Sequence, residues 1–214
     1  MSDFSDYNDY WEKRGKIEHP MRRWAIAAGC LPERATLLDV GCGSGEFLEF
    51  VRKKKPMVTG KGVDFSLKSV EMTQASGFDA ELLDLATDEI RGQYDFVTCF
   101  EVLEHIPEAE VALRHLKAAF RKQLIISVPN IGYLGCRLRL ALFGRFPTTN
   151  CIMHIKEHVR HWTPKDFCEW VSQEGLQVVR IEGQYGSELV PWKKLPFLFA
   201  RGLVYVIEHA DGSK

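Results

Sequence analysis

Apolar residues along this chain recur in two alternating rhythms. Short apolar runs of the kind that form buried strands occur at 36–40, 57–63, 78–83, 94–100 and 123–128, the last ended by Pro129. Between them lie stretches with helical spacing. Residues 44–54 carry Phe47, Leu48, Phe50 and Val51, 66–75 open on Ser66 as an N-cap, and 109–120 read as a third helix. Strands and helices in strict alternation predict βαβ units and a parallel sheet covered on both faces. After Pro129 the rhythm stops. The stretch 131–162 is too long for a simple connection, and connections of that length usually carry function. The rhythm resumes with a helix over 163–173, capped by Thr163, entered through Pro164 and ended by Gly175. A sixth strand follows at 176–182, and 203–208 reads as a seventh, added at an edge.

These elements predict one α/β domain over 1–214. Its fold is Rossmann-like and doubly wound: a mostly parallel seven-stranded sheet with an antiparallel edge strand and a helical insertion after strand five. Residues 1–35 form a helical N-terminal segment, 36–130 a cofactor-binding core, 131–162 a substrate lid, and 163–214 the C-terminal part of the sheet. At 214 residues and 45% hydrophobic content, the chain buries a substantial core and is not a disordered protein.

Charge narrows the functional classes. Lysine and arginine number 28 against 29 acids, a net charge of −1, so no stable nucleic-acid binding is expected. The six cysteines, Cys30, Cys42, Cys99, Cys136, Cys151 and Cys168, form no C-x-x-C pair, which excludes a zinc ribbon or a thioredoxin-like motif. They sit mostly in apolar surroundings, where a free thiol acts as a small hydrophobe. Residues 1–11 carry Asp3, Asp6 and Asp9 and no apolar run, so no secretory signal is read there. No apolar stretch is long and unbroken enough to span a bilayer. The expected setting is cytoplasmic and reducing.

The most informative stretch is Leu37-Leu38-Asp39-Val40-Gly41-Cys42-Gly43-Ser44-Gly45. Three glycines between a strand and a helix allow a tight turn and let a ligand approach the backbone closely. Their spacing, G-x-G-x-G, fits neither the dinucleotide loop nor the P-loop, which disfavours bound pyrophosphate or triphosphate. Asp39, just ahead of the loop, opposes a phosphate and favours an amine-bearing ligand. Asp64 ends the next strand, where a carboxylate can accept from both hydroxyls of a ribose. Asp84 follows strand three and could accept from the exocyclic amine of a base. The site therefore reads as one ammonium, one ribose and one adenine.

On these residues, and on Tyr94-Asp95-Phe96-Val97, the chain resembles the class I S-adenosylmethionine-dependent methyltransferases over roughly 36–128. That resemblance implies S-adenosylmethionine as cofactor. Asp39, Gly41, Cys42, Gly43 and Gly45 would place its methionine moiety, Asp64 its ribose, and Asp84 and Leu85 its adenine. Phe65 and Phe100 complete the implied cofactor site.

After strand four comes Glu101-Val102-Leu103-Glu104-His105. If this begins helically, Glu101, Glu104 and His105 share one face at the carboxyl edge of the sheet, where ligands bind. Three readings stay open: a solvated helix start, His105 as a general base, or a divalent-metal site. The cluster, followed later by a histidine ahead of Trp162-Thr163, resembles the metal-dependent O-methyltransferases of the ubiquinone-pathway and small-RNA 2′-O types. By that resemblance Glu101, Glu104, His105 and His158 would hold Mg²⁺ or another divalent cation. Glu101 and His105 would carry the catalysis.

The insertion brings five Lys/Arg against one acid over 131–162. As a lid it would select the acceptor, with Tyr133, Arg137, His154 and His158 as pocket residues and an anionic small molecule as the partner that suits its charge. Its Pro-Asn-Ile-Gly to Gly-Arg-Phe-Pro-Thr-Thr run also resembles the MetW group of methyltransferase-fold proteins in methionine biosynthesis. That group acts with a homoserine acyltransferase. The Glu-x-x-Glu-His cluster departs from that group and favours a working enzyme. The expected function is O-methylation of a small-molecule hydroxyl, with or without a divalent metal. The alternatives are a non-catalytic MetW-like partner of an acyltransferase, and metal-free N- or C-methylation. The tail over 190–206 mixes basic and aromatic residues that could touch a membrane surface, with core packing the expected role.

Overall fold

The structure, a computed structural model, describes residue 11 and residues 19–146, 158–186 and 193–210. In chain order the elements are α1 Arg22–Cys30, β1 Ala35–Val40, α2 Glu46–Lys54, β2 Val58–Asp64, α3 Leu67–Ala75, β3 Asp79–Leu82, β4 Tyr94–Phe100 and a 3-10 turn at Leu103–His105. There follow α4 Ala109–Ala119, β5 Phe120–Pro129, α5 Leu134–Phe143, α6 Pro164–Gln173, β6 Leu176–Gly186, α7 Pro196–Phe199 and β7 Ala200–His209.

The seven strands form one sheet in the order β3-β2-β1-β4-β5-β7-β6. β1 pairs in parallel with both β2 and β4, and the parallel ladder extends to β3 on one side and β5 on the other. The strand order reverses at β1 and β4, which puts a crevice beyond their carboxyl ends. Period-2 alternation divides the core into two layers. Leu38, Val40, Val97, Cys99, Leu124, Ile126 and Tyr205 face one way and pack against α4 and α6. Leu37, Phe96, Ile125, Val204 and Val206 face the other way and pack against Trp24 and Ala27 of α1 and Phe47 and Val51 of α2.

The strand and helix expectations over 36–130 and 163–208 hold, with informative shifts at the ends; of the helical segment expected over 1–35, residues 1–10 and 12–18 lie outside the described residues. β5 begins at Phe120 directly after α4, and β6 runs on to Gly186. β7 is the antiparallel strand, but it lies between β5 and β6 rather than at the margin, so β6 takes the edge. The residues explain this. Residues 202–207 of β7 are buried throughout, as in a strand covered on both faces, whereas β6 is buried only at Leu176, Gly183 and Gln184. α6 carries the expected cap: Thr163 accepts from the Asp166 backbone N–H, and Asp166 accepts in return from the Thr163 N–H. The insertion leaves the sheet at Asn130 and returns at Trp162, where the two residues form a parallel bridge. Between them α5 rises from the carboxyl edge. His154 lies outside the described residues. Among the described residues, no helix is long and apolar enough to cross a membrane.

A cluster of aromatic rings packs under α6. Phe167 is fully buried, 4.1 Å from the ring of Tyr205 and 5.7 Å from that of Trp162. Phe167→Ala is expected to destabilise the fold by about 3–5 kcal/mol, and the exposed Leu138→Ala by less than about 0.5 kcal/mol. Urea denaturation of the two variants checks both; equal midpoints would contradict the packing.

Candidate active site

The tips of β1, β2 and β4 build the site. Gly41, Gly43 and Gly45 all hold positive φ angles, 74°, 56° and 78°. A side chain would be strained there and would also collide: a Cβ on Gly41 would overlap Val102, and one on Gly43 would overlap the indole of Trp11. The loop is tied to β2 by the Gly41 and Cys42 N–H groups, which donate to the Val63 carbonyl at 2.8 and 3.1 Å.

Two buried carboxylates flank this loop. Asp39 accepts from Thr98 Oγ1 at 2.7 Å, across the β1–β4 pair. Burial raises its carboxyl pKa to about 7, against the lowering effect of the Thr98 hydroxyl; the nearby Asp64 raises it and Arg23 lowers it. Asp64 accepts from the Gly43 N–H at 3.0 Å and the Ser66 N–H at 2.9 Å, one on each oxygen. Burial raises its pKa as well, and those backbone donors oppose the rise. Asp64 thus braces the glycine loop and the start of α3 at once. Two carboxylates in a water-poor crevice suit a cationic ligand.

The other expected cofactor residues fall around this pair. Cys42 is buried beside Thr73, and burial pushes its thiol far above the usual range, so it contributes backbone rather than a nucleophile. Asp84 is exposed and accepts from the Ala86 N–H at 2.9 Å, fixing a turn in which Leu85 is buried. Phe65 is half exposed, and Phe100 packs edge-on to Phe47 at 5.1 Å.

The Glu-x-x-Glu-His stretch does not form a helix face, which corrects the spacing argument. Glu101, one residue beyond β4, adds a further bond to the sheet: its N–H donates to the Ser127 carbonyl at 2.9 Å. Pro107 disfavours helix at Ile106, which is extended (φ −97°, ψ 117°). Only one 3-10 turn fits between. Glu101 sits at φ 55°, the one non-glycine residue with positive φ among those described. Its Oε1 accepts from Ser127 Oγ and from Gln184 Nε2, both at 2.8 Å, and Gln184 in turn accepts from Arg23 at 3.2 Å.

Glu104 is 1% exposed, and neither carboxylate oxygen has a hydrogen-bond partner. Burial first, and the neighbouring Glu101 second, raise its pKa well above the carboxylate range. Its backbone carbonyl accepts from the Val159 and Arg160 N–H groups at 2.8 and 3.1 Å, which draws the end of the insertion onto this turn. His158 lies edge-on to His105 with ring centroids 4.7 Å apart. One ligand atom from each of Glu104, His105 and His158 lies within 4.8 Å of the others; Glu101 is not in that group. A buried carboxylate without a donor, beside two imidazoles, is a donor set that a divalent cation satisfies.

Tyr133 caps α5 beneath the Arg201 guanidinium, and Arg137 donates to the Gly132 carbonyl. A depression of about 580 Å³ lined by Arg34, Thr36, Met57 and Asp95 lies at the opposite, amino end of the strands and contains none of these residues. Sequence reading missed Trp11, Thr98, Ser127 and Gln184. An aromatic beside Tyr10 in an acidic segment was a visible signal for Trp11. Nothing local marks Gln184, which meets Glu101 only because β6 runs on past its expected end.

A family model described as a methyltransferase domain matches residues 10–181. The chain belongs to the methyltransferase domain family. A ubiquinone biosynthesis O-methyltransferase of Xanthomonas axonopodis pv. citri (strain 306) is 23% identical over 218 residues, covering 95% of this chain and 89% of its own. Among solved structures, the magnesium protoporphyrin IX methyltransferase of Synechocystis PCC 6803 with bound SAH aligns with a TM-score of 0.60 at 22% identity, over 94% of this chain and 83% of that one. A TehB-like SAM-dependent methyltransferase of Corynebacterium glutamicum ATCC 13032 Kitasato aligns at 0.64 and 16% identity, over 95% and 98%. The class I methyltransferase expected from the glycine loop therefore stands for family and fold.

This methyltransferase carries a pH-dependent strain at Asp39. Its folded carboxyl holds a proton that the unfolded chain releases near pH 3.8. The resulting stabilisation is complete below that value and is lost as pH rises through about 7. Asp39→Asn is therefore expected to melt above wild type, by a margin that widens between pH 5 and pH 8. A margin constant across that range in thermal scans of the cofactor-free protein would contradict it.

Proposed function

We propose that this methyltransferase transfers a methyl group from S-adenosylmethionine to a hydroxyl of a small molecule, with a divalent cation at Glu104, His105 and His158. The observation that carries the reading is Glu104, a fully buried carboxylate with no donor, set beside two imidazoles at the carboxyl edge that also holds Asp39 and the glycine loop. The O-methyltransferase names of the curated relatives support oxygen as the accepting atom.

Each residue has a task that follows from its setting. Asp39, ionised above about pH 7, faces the ammonium of the methionine moiety. The left-handed glycines keep the backbone flat against it. Asp64, held by the Gly43 N–H of the loop and the Ser66 N–H at the start of α3, presents its carboxylate to the ribose hydroxyls. The turn at Asp84 and Leu85 bounds the base. When bound, S-adenosylmethionine supplies a methyl group on a positively charged sulfonium, an electrophile that needs little from the protein beyond alignment.

On the acceptor side, Glu101 is fixed by Ser127 and Gln184 through Oε1, which leaves Oε2 to accept a hydroxyl proton. His105 is the second group able to take that proton, or serves as ligand with His158. A divalent cation held by Glu104, His105 and His158 would lower a hydroxyl pKa and grip neighbouring oxygens. The basic residues of the insertion, Arg137, Arg139 and Arg145, favour an anionic acceptor.

Two measurements test this reading. Asp39→Asn is expected to weaken S-adenosylmethionine binding about 10- to 100-fold in calorimetry, the worth of a hydrogen bond to a charged group. Glu104→Gln and His158→Ala are each expected to lower turnover of a diol acceptor about 100-fold or more while leaving cofactor affinity unchanged, with chelation matching the loss and added metal restoring only the wild type. Full turnover after chelation would shift the reading to metal-free transfer onto oxygen, nitrogen or carbon. Cofactor binding without turnover, with an acyltransferase co-purifying, would shift it to a MetW-like partner.

A further inference from the structure

The turn that follows β3 is closed by its own residues. The Asp84 carbonyl accepts from the Thr87 and Asp88 N–H groups at 3.0 and 2.7 Å, and the Asp84 N–H donates to Asp88 Oδ2 at 3.0 Å. Short acidic side chains favour such local bonds to the backbone. They give the turn its shape but do not fix it against the rest of the protein. Leu85 contributes two contacts that do. Its side chain is buried in the core layer that α4 covers. Its carbonyl lies 3.1 Å from Nδ1 of His115, in the second turn of α4. A carbonyl only accepts, so the hydrogen of that bond is on Nδ1.

The bond matters for the peptide on which it falls. The plane that joins Leu85 to Ala86 receives His115 on its carbonyl and gives its N–H to Asp84 Oδ1 at 2.9 Å. A peptide is rigid, so it cannot rotate about one of these bonds without loosening the other. A peptide that accepts on oxygen also donates more strongly through nitrogen. Burial of the Leu85 side chain sets the depth of the turn; the imidazole sets the angle of the plane. The chain of bonds ends on the carboxylate of Asp84, an exposed residue, with Oδ1 held and Oδ2 left to a ligand.

We propose that His115 is a positioning residue for base recognition: through the Leu85–Ala86 peptide it aims the Asp84 carboxylate, so that the site selects a purine with an exocyclic amine over one with a carbonyl at the same place. This rests on the reading of the Asp84 turn as the boundary of the base. An amine donates to the carboxylate, whereas a carbonyl sets acceptor against acceptor. His115 acts without touching the base, and through it a helix shares in a site otherwise built from strand tips and loops.

The probes are S-adenosylhomocysteine and S-inosylhomocysteine, which differ at the amine and in the hydrogen on the adjoining ring nitrogen. Each is titrated into the full-length protein by calorimetry. The wild type is expected to bind the adenine compound about 10- to 100-fold more tightly. His115→Ala is expected to cut that ratio about three- to tenfold by weakening the adenine compound, and His115→Asn, whose amide nitrogen stands near the place of Nδ1, to restore most of it. Alanine suits a helix interior, so the first variant folds. A tether that served only stability would move both affinities together and leave the ratio where it was. An unchanged ratio in His115→Ala overturns the proposal, as does a loss in His115→Asn equal to that in His115→Ala. Asp84→Asn separates the two ways of failing. If it abolishes the preference while His115→Ala leaves it intact, the Asp84 reading stands and the role of His115 falls alone. A wild type that binds both compounds equally overturns both.

Discussion

The site rests on a carboxylate pair that the fold keeps away from water. Asp39 is the penultimate residue of β1 and Asp64 the last of the adjacent parallel β2, and a parallel sheet covered on both faces gives such positions little solvent. Each survives there by a different device. Asp64 takes two backbone N–H donors and so becomes the brace that sets the glycine loop. Asp39 takes only the Thr98 hydroxyl and Arg23 at a distance, which leaves its ionised form under-compensated. A charge held below its full complement of partners is what a cationic ligand can complete. Binding energy for such a ligand comes from relieving a penalty the empty protein already bears.

Strand four shows the same logic one step further along the edge. Glu101 continues the ladder to Ser127 but must turn at once to clear Pro107, and it does so in the left-handed region, at a cost of about 1–3 kcal/mol. The Ser127 and Gln184 bonds hold it there. Three strands, β4, β5 and β6, and helix α1 therefore converge on one carboxylate, although β6 and α1 are far from β4 in sequence. Glu104, three residues on, has no such support: its carboxylate oxygens have no hydrogen-bond partner, and burial, with Glu101 nearby, raises its pKa well above the carboxylate range.

These details mark the limit of what the sequence could disclose. The strand–helix rhythm was legible because burial in a doubly wound sheet imposes continuous apolar runs, and β4 falls on its expected residues. The glycine loop and its two acids were legible because left-handed backbone and strand-tip carboxylates leave residue-type signatures at short range. What stayed hidden depends on contacts across the chain. The inner position of β7 follows from what covers its second face. The spacing of Glu101, Glu104 and His105 matched a helix, but spacing cannot register that a strand and a proline claim both ends of the segment. Gln184 meets Glu101 only through the length of β6, and strand ends are the least constrained feature of an apolar pattern.

Charge is sorted along the carboxyl edge in a way that sequence order alone makes possible. The acids belong to the tips of β1, β2 and β4, inside the crevice, while the cations belong to the insertion and to the residues ahead of β7, outside it. Were the same charges interleaved, they would neutralise one another in short ion pairs and present neither field. Kept on separate segments, they give a crevice that attracts a cation and a rim that attracts an anion. A group-transfer enzyme has two ligands to keep apart until they meet in one geometry, and opposite fields at two depths do that without a moving part. The inner field is protected by burial and persists in salt; the outer one is exposed, so it fades within a Debye length of about 10 Å at 0.1 M ionic strength. Salt can therefore weaken the rim's field while leaving that of the crevice in place.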